Sequence, residues 1–249
     1  MAKVTLKTES EIEIMRQNGA LAAQILKEIK ATAKPGLTTK ALDEIATGMI
    51  EKAGGVPSFK GFRGYPAALC ISVNSEIVHG IPGPRKLKEG DIVGVDIGIL
   101  KNGYHVDTAI TFGVGKVSQE AEKLIQVTKE SLDNGLSIIK AGIYLGDVQA
   151  VIQKTIEAAG FSVIRELTGH GVGKNLQEDP SIPNYGRTGT GLILEKGMTL
   201  AIEPMVSVGD WHVKVAKDGW TVSMKDNSLA AHFEHTIVVT ETGFEILTQ

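Results

Sequence analysis

Residues 91–109 read DIVGVDIGILKNGYHVDTA. Two runs rich in Val and Ile flank Asn102-Gly103. An Asn-Gly pair in that setting is the strongest short-range hairpin signal, because both residues accept the left-handed backbone of the turn. With these two as the turn, position 101 faces 104, 98 faces 107 and 96 faces 109. Side chains alternate faces along a strand, so Asp96 and Asp107 share a face as diagonal neighbours, about 7–8 Å apart at Cα. Aspartate is depleted in strands. A pair on one face either meets solvent or shares a cation, and the remaining sequence has to decide between the two.

The chain of 249 residues, 42% hydrophobic and 22% charged, has the composition of an ordinary soluble protein with a large core. A net charge of -3 and a pI near 6.1 argue against a dedicated nucleic-acid binder, so no DNA partner is expected. The lone Cys70 leaves no internal disulfide framework and fits a reducing cytosol. The opening MAKVTLKTES has no long apolar run, and no stretch reaches membrane-spanning length. A cytoplasmic location without membrane association is the expectation.

Ser10 and Glu13 have capping-box spacing, and Ile14, Leu21, Ile25 and Ile29 follow at helical intervals, predicting a helix that ends near Ala33 before Lys34-Pro35-Gly36. Thr39 to Ala53 reads as a second amphipathic helix closed by Gly54-Gly55. The same order returns 106 positions later. Lys34–Gly54 aligns without gaps on Lys140–Gly160, with Lys, Gly, Ile, Glu, Ala and Gly identical, and Ser118–Ile139 is again a long amphipathic segment. Downstream, residues 86–96 align at an offset of 107 with the run ending at Glu203, which sets Gly90 over Gly197 and Asp96 over Glu203. The reading is one domain, 1–249, built of two internal halves, about 10–112 and 118–247. A ligand site at their seam would draw carboxylates from both. Strands are expected at 66–73, 91–100, 103–112, 198–208 and 232–247, giving an α+β architecture with helices covering one face of an antiparallel sheet.

Four more polar residues stand out. Glu203 interrupts the apolar MTLAIEPM, and Glu234 sits within HFEHTIVV. His170 lies between glycines in TGHGVGK, where bare backbone permits close approach of a ligand. His79 has a similar setting in VHGIPG. Either histidine alone reads more readily as a surface or satisfied residue than as a ligand. Four carboxylates with a glycine-flanked histidine are a different matter, because burying them together without cations costs several kcal/mol for each unpaired charge. Oxygen-rich ligation with imidazole and no thiolate favours Mn, Fe(II), Co or Zn. Four acids exceed the needs of one divalent ion, which points to two metals and to hydrolysis as the reaction class.

The ordered set His79 in VHGIPG, Asp96 in VDIG, Asp107 in HVDTA, His170 in GHGVGK, Glu203 in IEP and Glu234 in FEHT resembles the methionine aminopeptidase family, over essentially the whole chain. The resemblance implies the pita-bread fold and two divalent ions held by Asp96, Asp107, His170, Glu203 and Glu234. It implies that Glu203 handles the proton of the attacking water and that His79 hydrogen-bonds the substrate amide. It also places the methionine side chain among Phe62, Tyr65, Cys70 and Trp220, with Leu176 beside them. A thioether suits an aromatic-lined slot with a sulfur neighbour. Only 33 positions separate His170 from Glu203, too few for the insertion of type II enzymes, so a compact type I enzyme is expected. Its partners are the N-termini of nascent chains, with the ribosome as a second partner that no basic patch announces, and it is expected to be a monomer.

One position departs from the family pattern. Where the family carries His after Phe or Leu, this chain has Leu176-Gln177-Glu178. Gln177 still donates a hydrogen bond but cannot exchange a proton near pH 7. That leaves turnover and substrate range open. The alternatives are a broader aminopeptidase or prolidase-like dipeptidase of the same fold, and a weakly active or non-catalytic relative.

Overall fold

The computed structural model describes residues 4–249; positions 1–3 of the opening segment MAKVTLKTES lie outside them. The first half contains α1 (Glu9–Thr32), α2 (Thr39–Lys52), β1 (Val56–Pro57), β2 (Leu69–Val73), β3 (Glu76–Val78), β4 (Ile92–Lys101) and β5 (Tyr104–Gly113). After it come α3 (Gln119–Ser137), α4 (Leu145–Ala158), β6 (Ser162–Val163), β7 (Thr168–Gly171) and β8 (Glu178–Pro183). The chain closes with β9 (Thr199–Ile202), β10 (Met205–Ser207), β11 (Val213–Val215), β12 (Val222–Met224), β13 (Ala230–His232), β14 (Glu234–Val239) and β15 (Phe244–Ile246).

The central sheet runs β1-β4-β5-β14-β9-β7-β8, with β2 on β4 and β15 on β14, and its pairings are antiparallel. Its middle is the hairpin read from the sequence, with Lys101 opposite Tyr104, Gly98 opposite Asp107 and Asp96 opposite Ala109. Asn102 and Gly103 take φ of 52° and 81°, the left-handed pair such a turn requires. Asn18 of α1 locks that turn from outside, its amide donating to the carbonyls of Lys101 and Tyr104 at 2.9 Å each.

One face of the sheet is the core. Val93, Val95, Ile97 and Ile99 of β4 and Val106 of β5 pack with Met15, Ile25 and Ile29 of α1 and with Leu42 and Ile50 of α2. In the second half, Leu124, Leu132 and Leu136 of α3 and Ile152 and Ile156 of α4 pack with Leu200, Ile202 and Ile237. Each helix pair thus buries its stripe on its own part of the sheet. The aligned glycines carry the same backbone: Gly36 and Gly142 have φ of 89° and 90°, Gly54 and Gly160 73° and 86°, and Gly90 and Gly197 88° and 89°. Isolated bridges Thr38–Lys86 and Tyr144–Ile193 follow the same spacing, their members being offset by 106 and 107 positions.

Several boundaries differ from expectation, each for a local reason. The capping box of α1 is formed by Thr8 and Glu11, whose side chains exchange bonds with each other's backbone N–H; Glu13 pairs with Arg16 instead. The strand expected at 198–208 breaks at Glu203-Pro204, since proline has no N–H for the ladder, and β10 turns away to pair with β6 and β13. The run 232–247 divides into β13, β14 and β15: Phe233 leaves the ladder to donate to the Pro204 carbonyl, and Thr240 turns back through a hydrogen bond from its N–H to Gly243. At 66–73 only Leu69–Val73 is strand, because Asp43 caps the N–H groups of Ala68 and Leu69. The short β7 and β8, which bracket Gln177, have glycine- and proline-rich sequences that carry no alternating pattern.

Candidate functional site

The face of the sheet opposite the helices carries the acids. Asp96 on β4 sits across from Ala109, and Ala109 on its other side pairs with Glu234 at the start of β14. The small Ala109 therefore lies between two carboxylates, with Asp107 next along its own strand face. Glu203 follows β9 directly, and His170 on β7 pairs with Ala201 of β9. Four strands, β4, β5, β14 and β7, and the residue that directly follows their neighbour β9 contribute one side chain each to a single patch.

Buried threonines hold these positions. The Thr236 hydroxyl accepts from the Asp107 N–H at 2.9 Å and donates to the Asp107 carbonyl at 2.7 Å. Thr108 donates to the carbonyl of Glu234 at 2.7 Å, and Thr111 donates to that of His232 at 2.7 Å. The His170 Nδ1 lies 2.9 Å from the Gly171 carbonyl, which can only accept. Nδ1 therefore carries a proton, and Nε2 is the ring atom that faces the acids. Nε2 is 3.6 Å from Glu203 Oε1 and 3.9 Å from Asp107 Oδ2.

The solvent-facing reading of Asp96 and Asp107 does not hold. Asp107, Glu203 and Glu234 are 5%, 9% and 2% exposed, and Asp96, though partly exposed as a residue, has its Oδ1 buried. Among the described residues no lysine or arginine forms an ion pair with any of the four. Burial pushes Asp96 and Glu203 up to about 7 and raises Asp107 and Glu234 well above the usual carboxylate range, with neighbouring carboxylates adding to the shift in Asp107 and Glu234.

The donor set fits a divalent cation. Asp96 Oδ1, Asp107 Oδ1 and Glu234 Oε1 are buried without a hydrogen-bond partner, and half of the six such side-chain atoms among the described residues thus belong to this one patch. One ligand atom each from Asp107, His170 and Glu234 lies within 4.8 Å of the others. Oxygen donors with one imidazole and no thiolate suit Mn, Fe(II), Co or Zn in an open site.

The patch forms one wall of a cavity of about 280 Å³. All twelve residues singled out in the sequence line it: Phe62, Tyr65, Cys70, His79, Asp96, Asp107, His170, Leu176, Gln177, Glu203, Trp220 and Glu234. The wall away from the acids is apolar, with Phe59, Tyr65, Cys70 and Leu176 packed together and Phe62 and Trp220 against them. Trp220 stands edge-on to Tyr65 at 5.1 Å and to His79 at 6.4 Å between ring centroids. Tyr65 Oη lies 3.0 and 2.9 Å from the carbonyls of Leu69 and Gly80, which ties the His79 loop to β2. His79 has a φ of 59°, a strained backbone for a non-glycine residue, and burial lowers its pKa to about 4, so the ring is neutral at pH 7.

Sequence reasoning missed Phe59, Thr168 and Met205 in the lining, and His232 behind it. His232 precedes Glu234 by two positions, a spacing that strand alternation alone flags.

The description "Metallopeptidase family M24" matches residues 13–241 of this chain. Methionine aminopeptidase 1 of Bacillus subtilis is 51% identical over 246 residues, 99% of each chain, and methionine aminopeptidase of Clostridium perfringens is 49% identical over 245 residues, 98% of each. The crystal structure of methionine aminopeptidase from Thermotoga maritima superposes with a TM-score of 0.98 at 50% identity, covering 99% of this chain and 100% of that one. Prolidase from Pyrococcus furiosus, at 22% identity and a TM-score of 0.80 over 98% of this chain and 65% of its own, shares the pita-bread fold. With its curled antiparallel sheet, its outer helix pairs and its buried acid patch, the chain belongs to metallopeptidase family M24.

Proposed function

We propose that this protein is a methionine aminopeptidase that hydrolyses the first peptide bond of nascent chains, using two divalent ions held by Asp96, Asp107, His170, Glu203 and Glu234. The observation that carries the reading is the set of orphaned carboxylate oxygens facing an apolar slot of side-chain size. When bound, the ions supply a Lewis acid for the carbonyl and an acidified water as nucleophile. Glu203, a carboxylate lining the cavity, would take the proton of the attacking water and return it to the leaving amine. Neutral His79 donates to the substrate amide, and Gln177, which lines the same cavity, donates to the peptide group.

Phe62, Tyr65, Cys70, Leu176 and Trp220 receive the methionine side chain; the slot is apolar and ends beside a thiol. Burial raises the Cys70 pKa well above that of a free thiol, so it serves as a neutral wall rather than a nucleophile. The protein is proposed to act as a cytoplasmic monomer on chains emerging from the ribosome. Among the described residues, no helix is long and apolar enough to cross a membrane.

The test is methionine release from a Met-Gly-type peptide. EDTA should abolish it and Mn or Co restore it, whereas X-Pro dipeptides should remain intact. Release that survives chelation would refute the metal reading, and preferential cleavage of X-Pro would move the substrate class to the prolidases.

A further inference from the structure

His232 is 3% exposed, and its Nε2 has no hydrogen-bond partner. It lies outside the five residues assigned to the metals and does not line the cavity. Its backbone is fixed twice over: the N–H donates to Thr111 Oγ1 at 3.0 Å, and the carbonyl accepts from the same hydroxyl at 2.7 Å. In β13 it pairs with Met205, two residues after Glu203. Held there, its Nε2 stands 3.5 Å from Glu203 Oε2 and 3.9 Å from Glu234 Oε2.

The other oxygen of Glu203 faces His170 Nε2 at 3.6 Å. One carboxylate thus lies between two imidazoles that address different oxygens. His170 is committed elsewhere: its Nδ1 donates to the Gly171 carbonyl, and its Nε2 is the atom that would ligate a metal. A carboxylate with four acceptor sites and no donor gains most from a neighbour that carries an N–H. The separation of 3.5 Å is at the long edge of hydrogen-bond range, and such contacts tighten when a site is loaded.

We propose that His232 is a positioning residue of the metal centre: its Nε2–H is aimed at Oε2 of Glu203, fixing that carboxylate so that Oε1 is presented on the His170 side. The role is that of an outer partner that orients a ligating carboxylate, and losing such a partner typically weakens metal affinity or activity by about 10–100-fold. The inference rests on the reading of Glu203 as a metal ligand. It does not require the substrate to be methionyl.

The test uses H232M, which keeps apolar volume without a donor, and H232Q, which keeps an N–H. Manganese binding to the metal-stripped proteins is measured by calorimetry, alongside kcat and KM for a Met-Gly-type peptide. H232M should bind Mn about 10–100-fold more weakly and lose kcat at constant KM, and H232Q should recover most of both. Wild-type affinity in H232M, or a loss in H232Q equal to that in H232M, would overturn the proposal. The measurement that needs no variant is the imidazole 15N spectrum of the zinc-loaded wild type. A protonated Nε2 on His232 supports the proposal even if H232M fails to fold, and an unprotonated Nε2 refutes it. Calorimetry involves no peptide, so a wild type that binds Mn but releases no methionine defeats the proposed function and leaves this inference standing.

Discussion

Gly169 offers the sharpest test of how the sheet sets the site. A Cβ built on it would lie 2.4 Å from the Ala201 carbonyl oxygen, 3.3 Å from Glu203 Cγ and 3.4 Å from Ile182 Cβ. Ordinary contact begins near 3.4 Å, so β7 must move about 1 Å from β9 to admit one methyl group. The obstacle is backbone in a central ladder, which has no rotamer to turn aside. Overpacking of this kind costs about 1–3 kcal/mol. His170, the next residue, moves with the strand, and a displacement near 1 Å at a reacting centre costs about 100-fold in rate. Gly169→Ala should therefore lower the denaturation free energy of the metal-free protein by about 1–3 kcal/mol and reduce Mn-dependent methionine release by about 100-fold. Gly48→Ala is the matched control. Gly48 lies inside α2 with nothing within 4 Å of a new Cβ, and removing the glycine penalty should stabilise the protein by about 0.5–1 kcal/mol without changing turnover. Gly169→Ala with wild-type stability and turnover would refute the claim that the β7–β9 ladder fixes His170.

Other perturbations follow from the same geometry. Asn18→Ala removes both amide bonds to the hairpin turn and should cost about 1–3 kcal/mol in urea denaturation. His79→Ala should lower kcat/KM by about 100-fold while Mn affinity by calorimetry stays unchanged, since the neutral ring is assigned to the substrate rather than the metals. Gln177→His should raise turnover, by up to about 100–1,000-fold if the missing imidazole polarised the scissile carbonyl; no gain would make the departure harmless. In the metal-free protein, Asp96 and Glu203 titrate near 7 folded but near 4 unfolded. Between those values the folded state binds more protons, so its stability falls as pH rises. Mn-loaded protein keeps these groups ionised and escapes the loss, so the rise in Tm on adding Mn should grow from pH 5 to pH 7 in calorimetric scans.

The fold was legible where a local rule and a tertiary demand coincide. Asn102-Gly103 set the register of β4 and β5 because few residue pairs accept two successive left-handed positions, and the register then fixed the face of Asp96 and Asp107. The aligned glycines that end helices or begin strands were legible for the same reason. The split of the long strand at Glu203 was signalled by Pro204 and yet overridden in the reading by the apolar run on either side. A proline inside a central strand ends its ladder, and here the break has a use. It lets β9 deliver Glu203 to the acid patch while β10 leaves to pair with β13, which carries His232.

The candidate site was legible as composition before it was legible as geometry. Four strand-embedded acids and a glycine-flanked histidine cannot be explained by a core, and no alternating pattern predicts that five strands will align them. The alignment comes from long-range pairing: Glu234 beside Ala109 spans 125 positions, and no local signal encodes it. His232 escaped because it has no glycine neighbours and lies in a run whose notable member was already Glu234. What marks it is a buried, unsatisfied nitrogen beside the equally unsatisfied carboxylates, an observable that exists only after packing. The same logic reaches the carboxylates. Hydrogen bonds from Thr108, Thr111 and Thr236 satisfy the backbone around the patch, while the carboxylate oxygens within it stay bare. A fold that pairs the scaffold and leaves the side-chain oxygens open has arranged them for a ligand of opposite charge, because protonation alone would be satisfied by far less order.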